Sequence, residues 1–418
     1  MPFSSLGLVP ALARAAADSG YLAPTPIQSA AIPVILGGGD VLGLAQTGSG
    51  KTAAYCLPLL QTLPDSRGAS LRPTLALILV PTRELAAQVG ETVRKLAAAL
   101  SPRPKVAVLF GGVSINPQMM DLRGGAHVVV ATPGRLLDLI DHNALRLSSV
   151  ATLVLDEADR LLDLGFADEI GRVLALLPAA RQNLFFSATF PDSVQALADA
   201  ILREPARIEV AALTVAQRDI TQRAIAVDVP RRTQLLKHLI GAHGWSRVLV
   251  FVATKYAAEH VADKLRRNGV SAASLHGELS QGARGQALAD FKASRMQVLV
   301  ATDVAARGID IAQLPVVVNY DLPRSADDYT HRIGRTGRAG QSGLAISFVS
   351  ADTEAHFSLI EKRQQVRAPR EHIAGFEPTE TLTVPATLSV TDSVNGGVKG
   401  KRKSKKDKLR EAAAGVAR

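Results

Sequence analysis

The segment Ala45-Gln46-Thr47-Gly48-Ser49-Gly50-Lys51-Thr52 joins a short apolar run, Asp40–Leu44, to an apolar helical pattern that opens at Ala53. The join commits this part of the chain to strand, glycine loop and helix, in that order. The glycines let successive backbone N–H groups turn inward, and the following helix adds the positive end of its dipole. Such a loop cradles a phosphate chain. Lys51 can then reach the β- and γ-phosphates of a nucleoside triphosphate, and the Thr52 hydroxyl can bind Mg²⁺.

Around this loop, apolar runs of strand type at 74–80, 105–110, 127–131, 152–155 and 183–187 alternate with Ala/Leu-rich helical stretches such as 83–100 and 133–141. This alternation predicts an α/β fold, a parallel sheet with crossover helices, that binds ligands at the C-terminal ends of its strands. The pattern restarts after about residue 210, with runs at 247–252, 272–275, 297–301, 316–319 and 343–348 separated by helical candidates at 255–268 and 283–293. Residues 211–219 lack periodicity and read as a linker. The second half has no phosphate loop of its own, so two similar folds with one loop place the nucleotide between them. From about residue 366 Pro, Thr, Gly and Ser increase, and 377–418 reads as mostly disordered.

Composition narrows the class. No apolar stretch approaches the roughly 18 residues of a membrane span, and no basic segment followed by an apolar core opens the chain. Cys56 is the only cysteine, which excludes an internal disulfide, fits a reducing cytoplasm, and reads as a small buried apolar group. The formal net charge is +10, of which residues 399–418 supply +7 through nine Lys/Arg against two Asp/Glu. A lysine-rich tail can bind polyanions or be merely solvated.

A second chemical segment, Val154-Leu155-Asp156-Glu157-Ala158-Asp159, is an apolar run ending in acids. A carboxylate at a strand's C-terminal end can hold Mg²⁺, and its neighbour can orient or deprotonate an attacking water. Residues 156–159 spell D-E-A-D, and here the chain resembles the DEAD-box ATP-dependent RNA helicases, most closely their bacterial RhlE-type branch. The resemblance runs over about residues 3–350 and rests on many motifs in the family's order. They are Pro24-Thr25-Pro26-Ile27-Gln28, the phosphate loop, Pro81-Thr82-Arg83-Glu84-Leu85-Ala86, Gly111-Gly112, Thr132-Pro133-Gly134-Arg135 and the acids. Ser187-Ala188-Thr189, Val250–Lys255, His276-Gly277 with Gln281 and Arg284, Ala301–Asp310 and His331–Arg338 follow.

The resemblance implies two tandem RecA-like parallel-sheet domains, 1–210 (with a Q motif at 3–28) and 220–366, then a largely disordered basic tail at 367–418. It also implies a monomer that hydrolyses ATP with Mg²⁺ while closing on single-stranded RNA, and that separates short duplexes locally. The Gln28 amide matches the paired donor and acceptor on adenine's N6/N7 edge; in the family this glutamine reads adenine, and Phe3 stands where an aromatic stacks on the base. Thr47, Gly48, Ser49, Gly50, Lys51, Thr52, Gly308 and Asp310 are the remaining nucleotide contacts, Asp310 at the ribose. Thr52 and Asp156 take the metal. Lys51, Asp156, Glu157, Arg335 and Arg338 carry the chemistry, the two arginines as fingers on the γ-phosphate.

Arg83, Gly111, Gly112, Thr132 and Arg135, with Thr254, Arg284 and Thr302 as second-domain counterparts, are types that suit a sugar-phosphate backbone, although each alone reads equally as turn chemistry. With only 4% aromatic residues, base-stacking platforms are scarce. Asp159, Ser187, Thr189 and His331 would couple the acids to strand separation; read alone, 187–189 serves equally as hydroxyl caps before Pro191. Ribosome or RNA-decay complexes are the expected partners beyond RNA. Two other classes stay open, a non-enzymatic ATP-gated clamp on RNA and a processive DNA translocase.

Overall fold

The computed structural model describes residues 2–45, 48–64, 71–210, 220–306, 314–337 and 342–379. The first half forms strands β1 (Val41–Leu44), β2 (Ala76–Leu79), β3 (Val106–Leu109), β4 (Val128–Ala131), β5 (Thr152–Leu155), β6 (Gln182–Ser187) and β7 (Ala206–Glu209). They make one seven-stranded sheet in the order β3-β4-β2-β5-β6-β1-β7, and every pairing is parallel. The strand that feeds the phosphate loop is therefore internal, and the acids leave β5 two strands away.

Helices cover both faces, so these strands read as continuous apolar runs. Alternation survives only in the packing. Ile78, Val130, Val154 and Leu184 enter one core, while Leu77, Leu79, Val129, Leu153 and Phe185 enter the other.

The second half repeats the plan with β8 (Ile220–Ala226), β9 (Val248–Val252), β10 (Ala272–Leu275), β11 (Val298–Thr302), β12 (Val316–Asn319), β13 (Gly343–Val349) and β14 (Arg370–Glu371). Their order is β10-β11-β9-β12-β13-β8-β14, again all parallel. Both halves are thus α/β with central parallel sheets, as the alternation predicts. The linker expected at 211–219 lies outside the described residues.

One boundary moves. The tail expected from residue 367 begins no earlier than 380, because 367–379 packs on the second sheet. Arg370 is clamped by Glu354 at 2.6 Å and Glu361 at 2.8 Å. Glu371 pairs with Arg223 on β8. Phe376 meets His238, and Thr379 donates to Asp228 from both its N–H and its hydroxyl. Polar composition hid this segment because ion pairs hold most of it.

Candidate active site

The loop after β1 is tied to β6, where the Ala45 N–H donates to the Ser187 carbonyl at 3.0 Å. Gly50 adopts φ +96°, and a Cβ there would stand 2.5 Å from Gln28 Nε2, so the turn admits only glycine. Gln28 is buried. Its Nε2 donates to the Gly50 carbonyl at 3.1 Å and its Oε1 accepts from the Thr25 N–H at 2.9 Å. Its amide thus braces the loop against the start of the helix Pro26–Leu36. Lys51 is buried inside the loop, Nζ 2.7 Å from the Ala45 carbonyl. Ser49 Oγ is buried with no hydrogen-bond partner among the described residues. Thr47, Gly308, Asp310 and Arg338 lie outside the described residues.

Phe3, the expected stacking ring, is 5% exposed and belongs to the first-half core with Leu6 and Leu8. A large apolar ring gains more from that core than from an open face.

The acids sit at the end of β5. The Asp156 N–H is held by the Leu79 carbonyl at 3.0 Å, and Glu157 then takes φ +52°, ψ +52° to start the helix Ala158–Asp163. A glutamate rarely adopts this left-handed conformation, and such strain concentrates at functional sites. Both carboxylates are buried. Burial pushes the pKa of each above the usual carboxylate value; for Asp156 the nearby Lys51 and the Tyr55 hydrogen bond oppose it, and for Glu157 repulsion from Asp156 adds to it.

Asp156 Oδ1 accepts from the Glu157 N–H at 2.9 Å and Oδ2 from the Tyr55 hydroxyl at 2.8 Å. Asp159 bonds to the Ser187–Thr189 segment. Its Oδ2 accepts from the Thr189 N–H at 3.0 Å and the Thr189 hydroxyl at 2.9 Å, and its own N–H donates to Ser187 Oγ at 3.3 Å. Burial opposes ionisation of Asp159, but Lys51, Thr189 and Arg160 outweigh it and leave the pKa below the ordinary value.

The second sheet reaches these acids. Arg160, next after Asp159, contacts His331 Nδ1 and lies 3.4 Å from Asp328, both on the helix Ala326–Ile333. Arg335 is close enough to favour ionised Glu157. The helix ends at Ile333, so Arg335 stands beyond it and does not share a helical face with Arg332. Arg332 is buried and bound to Asp303 at 2.6 Å. Burial and the adjacent Arg160 lower the His331 pKa to about 3, so the imidazole is neutral.

The expected backbone-binding residues fall into smaller groups. Arg83 opens the helix Arg83–Ala97, capped by Thr82. Gly112 has φ +76°, a conformation that favours glycine, and its backbone lies against the Arg83 guanidinium. Arg135 Nη2 donates to the Val113 carbonyl at 2.7 Å, drawing it to the same loop, and Gly111 adjoins it. Thr132 is buried at the start of the helix Pro133–Asp141. Thr254 caps the helix Lys255–Arg267 as Thr82 does its own, and Thr302 ends β11.

Arg284, the remaining second-domain counterpart, faces the first half. It is 4% exposed and paired with Glu84 at 3.0 Å, joining the two sheets. A buried guanidinium requires such a partner. Sequence reasoning missed Tyr55 and Arg160. The only signal for Arg160 is its place directly after the acids; for Tyr55 it is the helical spacing from Lys51 and Thr52.

With this geometry in place, comparison with known proteins identifies the family. Residues 25–197 match the DEAD/DEAH box helicase model and 231–340 the helicase conserved C-terminal domain. The ATP-dependent RNA helicase DbpA of Escherichia coli (strain K12) is 43% identical over 401 residues, 96% of this chain and 86% of that protein. The ATP-dependent RNA helicase DeaD of Mycobacterium tuberculosis (strain ATCC 25618 / H37Rv) is 40% identical over 395 residues, 94% of this chain and 69% of its own. Among solved structures, Saccharomyces cerevisiae Dbp5 bound to RNA and ADP BeF3 aligns with TM-score 0.78 and 32% identity, covering 88% of this chain and 95% of that one. The chain belongs to the DEAD-box RNA helicase family.

Proposed function

We propose that this protein is an ATP-dependent RNA helicase that grips the RNA backbone, closes on ATP and RNA together, and separates short duplexes as it hydrolyses ATP. One observation carries the reading: Lys51 and the buried acids of the first sheet stand directly under Arg160, His331 and Arg335, the last two from the second half. ATP bound at the loop is thereby enclosed from both sides. Lys51 neutralises phosphate charge, the Glu157 carboxylate takes the proton of the attacking water, and Arg335 meets charge that develops on the γ-phosphate. An arginine delivered this way contributes about 10³–10⁵ in rate. Arg338, Thr47, Gly308 and Asp310 complete the nucleotide site in this reading.

Mg²⁺ fits the donor set. Thr52 offers a hydroxyl and Asp156 a carboxylate, both hard oxygen donors, and Mg²⁺ is commonly held by one or two carboxylates plus substrate phosphates. The orphaned Ser49 hydroxyl in the same loop supports a ligand rich in acceptors there. Held by Thr52 and Asp156, the ion would supply neutralisation of phosphate charge. Gln28 reads adenine by reorienting an amide that otherwise braces Gly50.

Arg83, Gly111, Gly112, Thr132 and Arg135 line the first-half path for RNA, with Thr254 and Thr302 opposite. Arg284 supports that path through Glu84. Contacts to backbone make sequence specificity low, and 2′-OH contacts favour RNA over DNA. Asp159 passes nucleotide state to the Ser187–Thr189 segment, and the Arg160–His331 contact passes it to the second sheet. In this reading the domains run over 1–210 and 220–379, the second extended past 366 to take in β14.

No helix among the described residues is long and apolar enough to cross a membrane. A monomer working in a bacterial cytoplasm on ribosomal or decaying RNA extends this reading, as does the RhlE-type branch, which the motif resemblance supports. The experiment is ATP turnover with RNA, with DNA of the same length and with neither, for the native protein and Glu157→Gln. RNA alone should stimulate turnover strongly, and the amide should reduce it by at least about 10²-fold. Equal stimulation by DNA, or near-native turnover of the variant, would overturn the reading.

A further inference from the structure

Tyr55 lies on the second turn of the helix that Lys51 opens, and its side chain is completely buried. A buried phenol keeps its hydroxyl satisfied, and this one donates to Asp156 Oδ2 at 2.8 Å. The other Asp156 oxygen accepts from the Glu157 N–H at 2.9 Å. The carboxylate is therefore held at both ends, once by backbone and once by Tyr55. Each oxygen accepts more than one bond, so both keep capacity for a further partner.

The ring is itself fixed. It packs on Phe186 of β6, centroids 5.4 Å apart, and Phe186 in turn presses on Gly43 of β1, where a Cβ would come within 2.5 Å of the Phe186 ring. The bare backbone of β1 thus lets Phe186 in, Phe186 sets the Tyr55 ring, and the ring sets the hydroxyl. Thr52, three residues before Tyr55 on the same helix, bears on that hydroxyl too. The phenol stands between the two side chains assigned to the metal.

We infer that Tyr55 is a positioning residue: its hydroxyl locks the Asp156 carboxylate in the rotamer that receives the metal carried by the nucleotide. The inference rests on the assignment of Thr52 and Asp156 to Mg²⁺. Removing only the oxygen leaves the ring packing as it is but frees one end of a buried carboxylate to turn. The cost should then appear in metal-dependent steps and not in nucleotide binding as such.

The test compares the native protein with Tyr55→Phe. Binding of a fluorescent ADP is titrated with Mg²⁺ and repeated in EDTA, and kcat and KM for ATP are measured at saturating RNA. Affinity in EDTA should agree within about twofold, whereas the Mg²⁺ concentration for half-maximal tightening should rise roughly three- to tenfold, the scale of one typical net hydrogen bond. The value of kcat should fall by a similar factor while KM moves little. In an Asp156→Asn background the same change should add nothing, because the hydroxyl acts through that carboxylate.

Native-like Mg²⁺ dependence and kcat in Tyr55→Phe, with or without a lower melting temperature, would reduce the bond to a structural one and overturn the inference. An additive effect in the Asp156→Asn background would do the same. Native protein that binds ADP equally in Mg²⁺ and EDTA would instead remove the metal assignment and the inference with it.

Discussion

His331 is neutral for a local reason: it is buried beside a guanidinium, and its pKa falls to about 3. In the unfolded chain it titrates near the usual value of about 6.5. Between these values the unfolded state binds one more proton than the folded state, so stability rises with pH across the window and is lost as pH falls below about 6.5. By pH 5 this one site should cost about 1–2 kcal/mol. Melting temperatures at pH 7 and pH 5 check this: His331→Gln should lose less than the native protein on acidification, and identical losses would mean that His331 carries no such burden.

At this scale the sequence was most legible where backbone chemistry demands one residue type, as at Gly50, or where strand ends expose acids, as at Asp156. It was least legible for side chains whose partners are distant in sequence. Arg160 meets His331 171 residues away and Tyr55 meets Asp156 101 residues away; neither partner leaves a local pattern. That Phe3 is buried was not legible either, because burial of a terminal aromatic depends on which helices cover it.

Among the elements, continuous apolar strands such as β2 and β9 were readable from composition because both faces are buried. The strands β7, β8 and β14, at one side of each sheet, were not. Exposed and half-exposed positions alternate along β7, and β8 mixes Gln and Arg with its apolar residues. β14 has two residues and is held by the ion pairs of Arg370 and Glu371. These pairs are partly shielded and share one arginine between two glutamates, a network worth more than separate surface pairs. Truncation after residue 379 should leave the melting temperature unchanged. Truncation after residue 366 removes Arg370, Glu371 and the Phe376 contact, and should lower it by roughly 4–8 °C, the response to about 2 kcal/mol in a domain of this size. Equal melting of the two truncations would show that 367–379 contributes nothing to the second half.

For the whole molecule, charge and closure matter most. Most of the net charge sits in 399–418, beyond the described residues. Deleting it should leave the maximal RNA-stimulated ATPase rate unchanged and make RNA affinity less salt-dependent, by about 0.7 in the log–log slope for each phosphate that the tail no longer neutralises. Superimposable slopes would show that the tail does not touch RNA. The two-sheet plan could be read from the restart of the strand pattern, but the way one half meets the other could not, because the junction is made by single side chains, Arg160 on His331 and Arg284 on Glu84. The central claim is that ATP is cleaved only when the second half completes a site built on the first. Single-turnover hydrolysis of bound ATP at saturating RNA, in native protein and Arg335→Ala, tests it most directly. The account predicts unchanged ATP binding with hydrolysis slowed by about 10³-fold or more; hydrolysis at a near-native rate would contradict it.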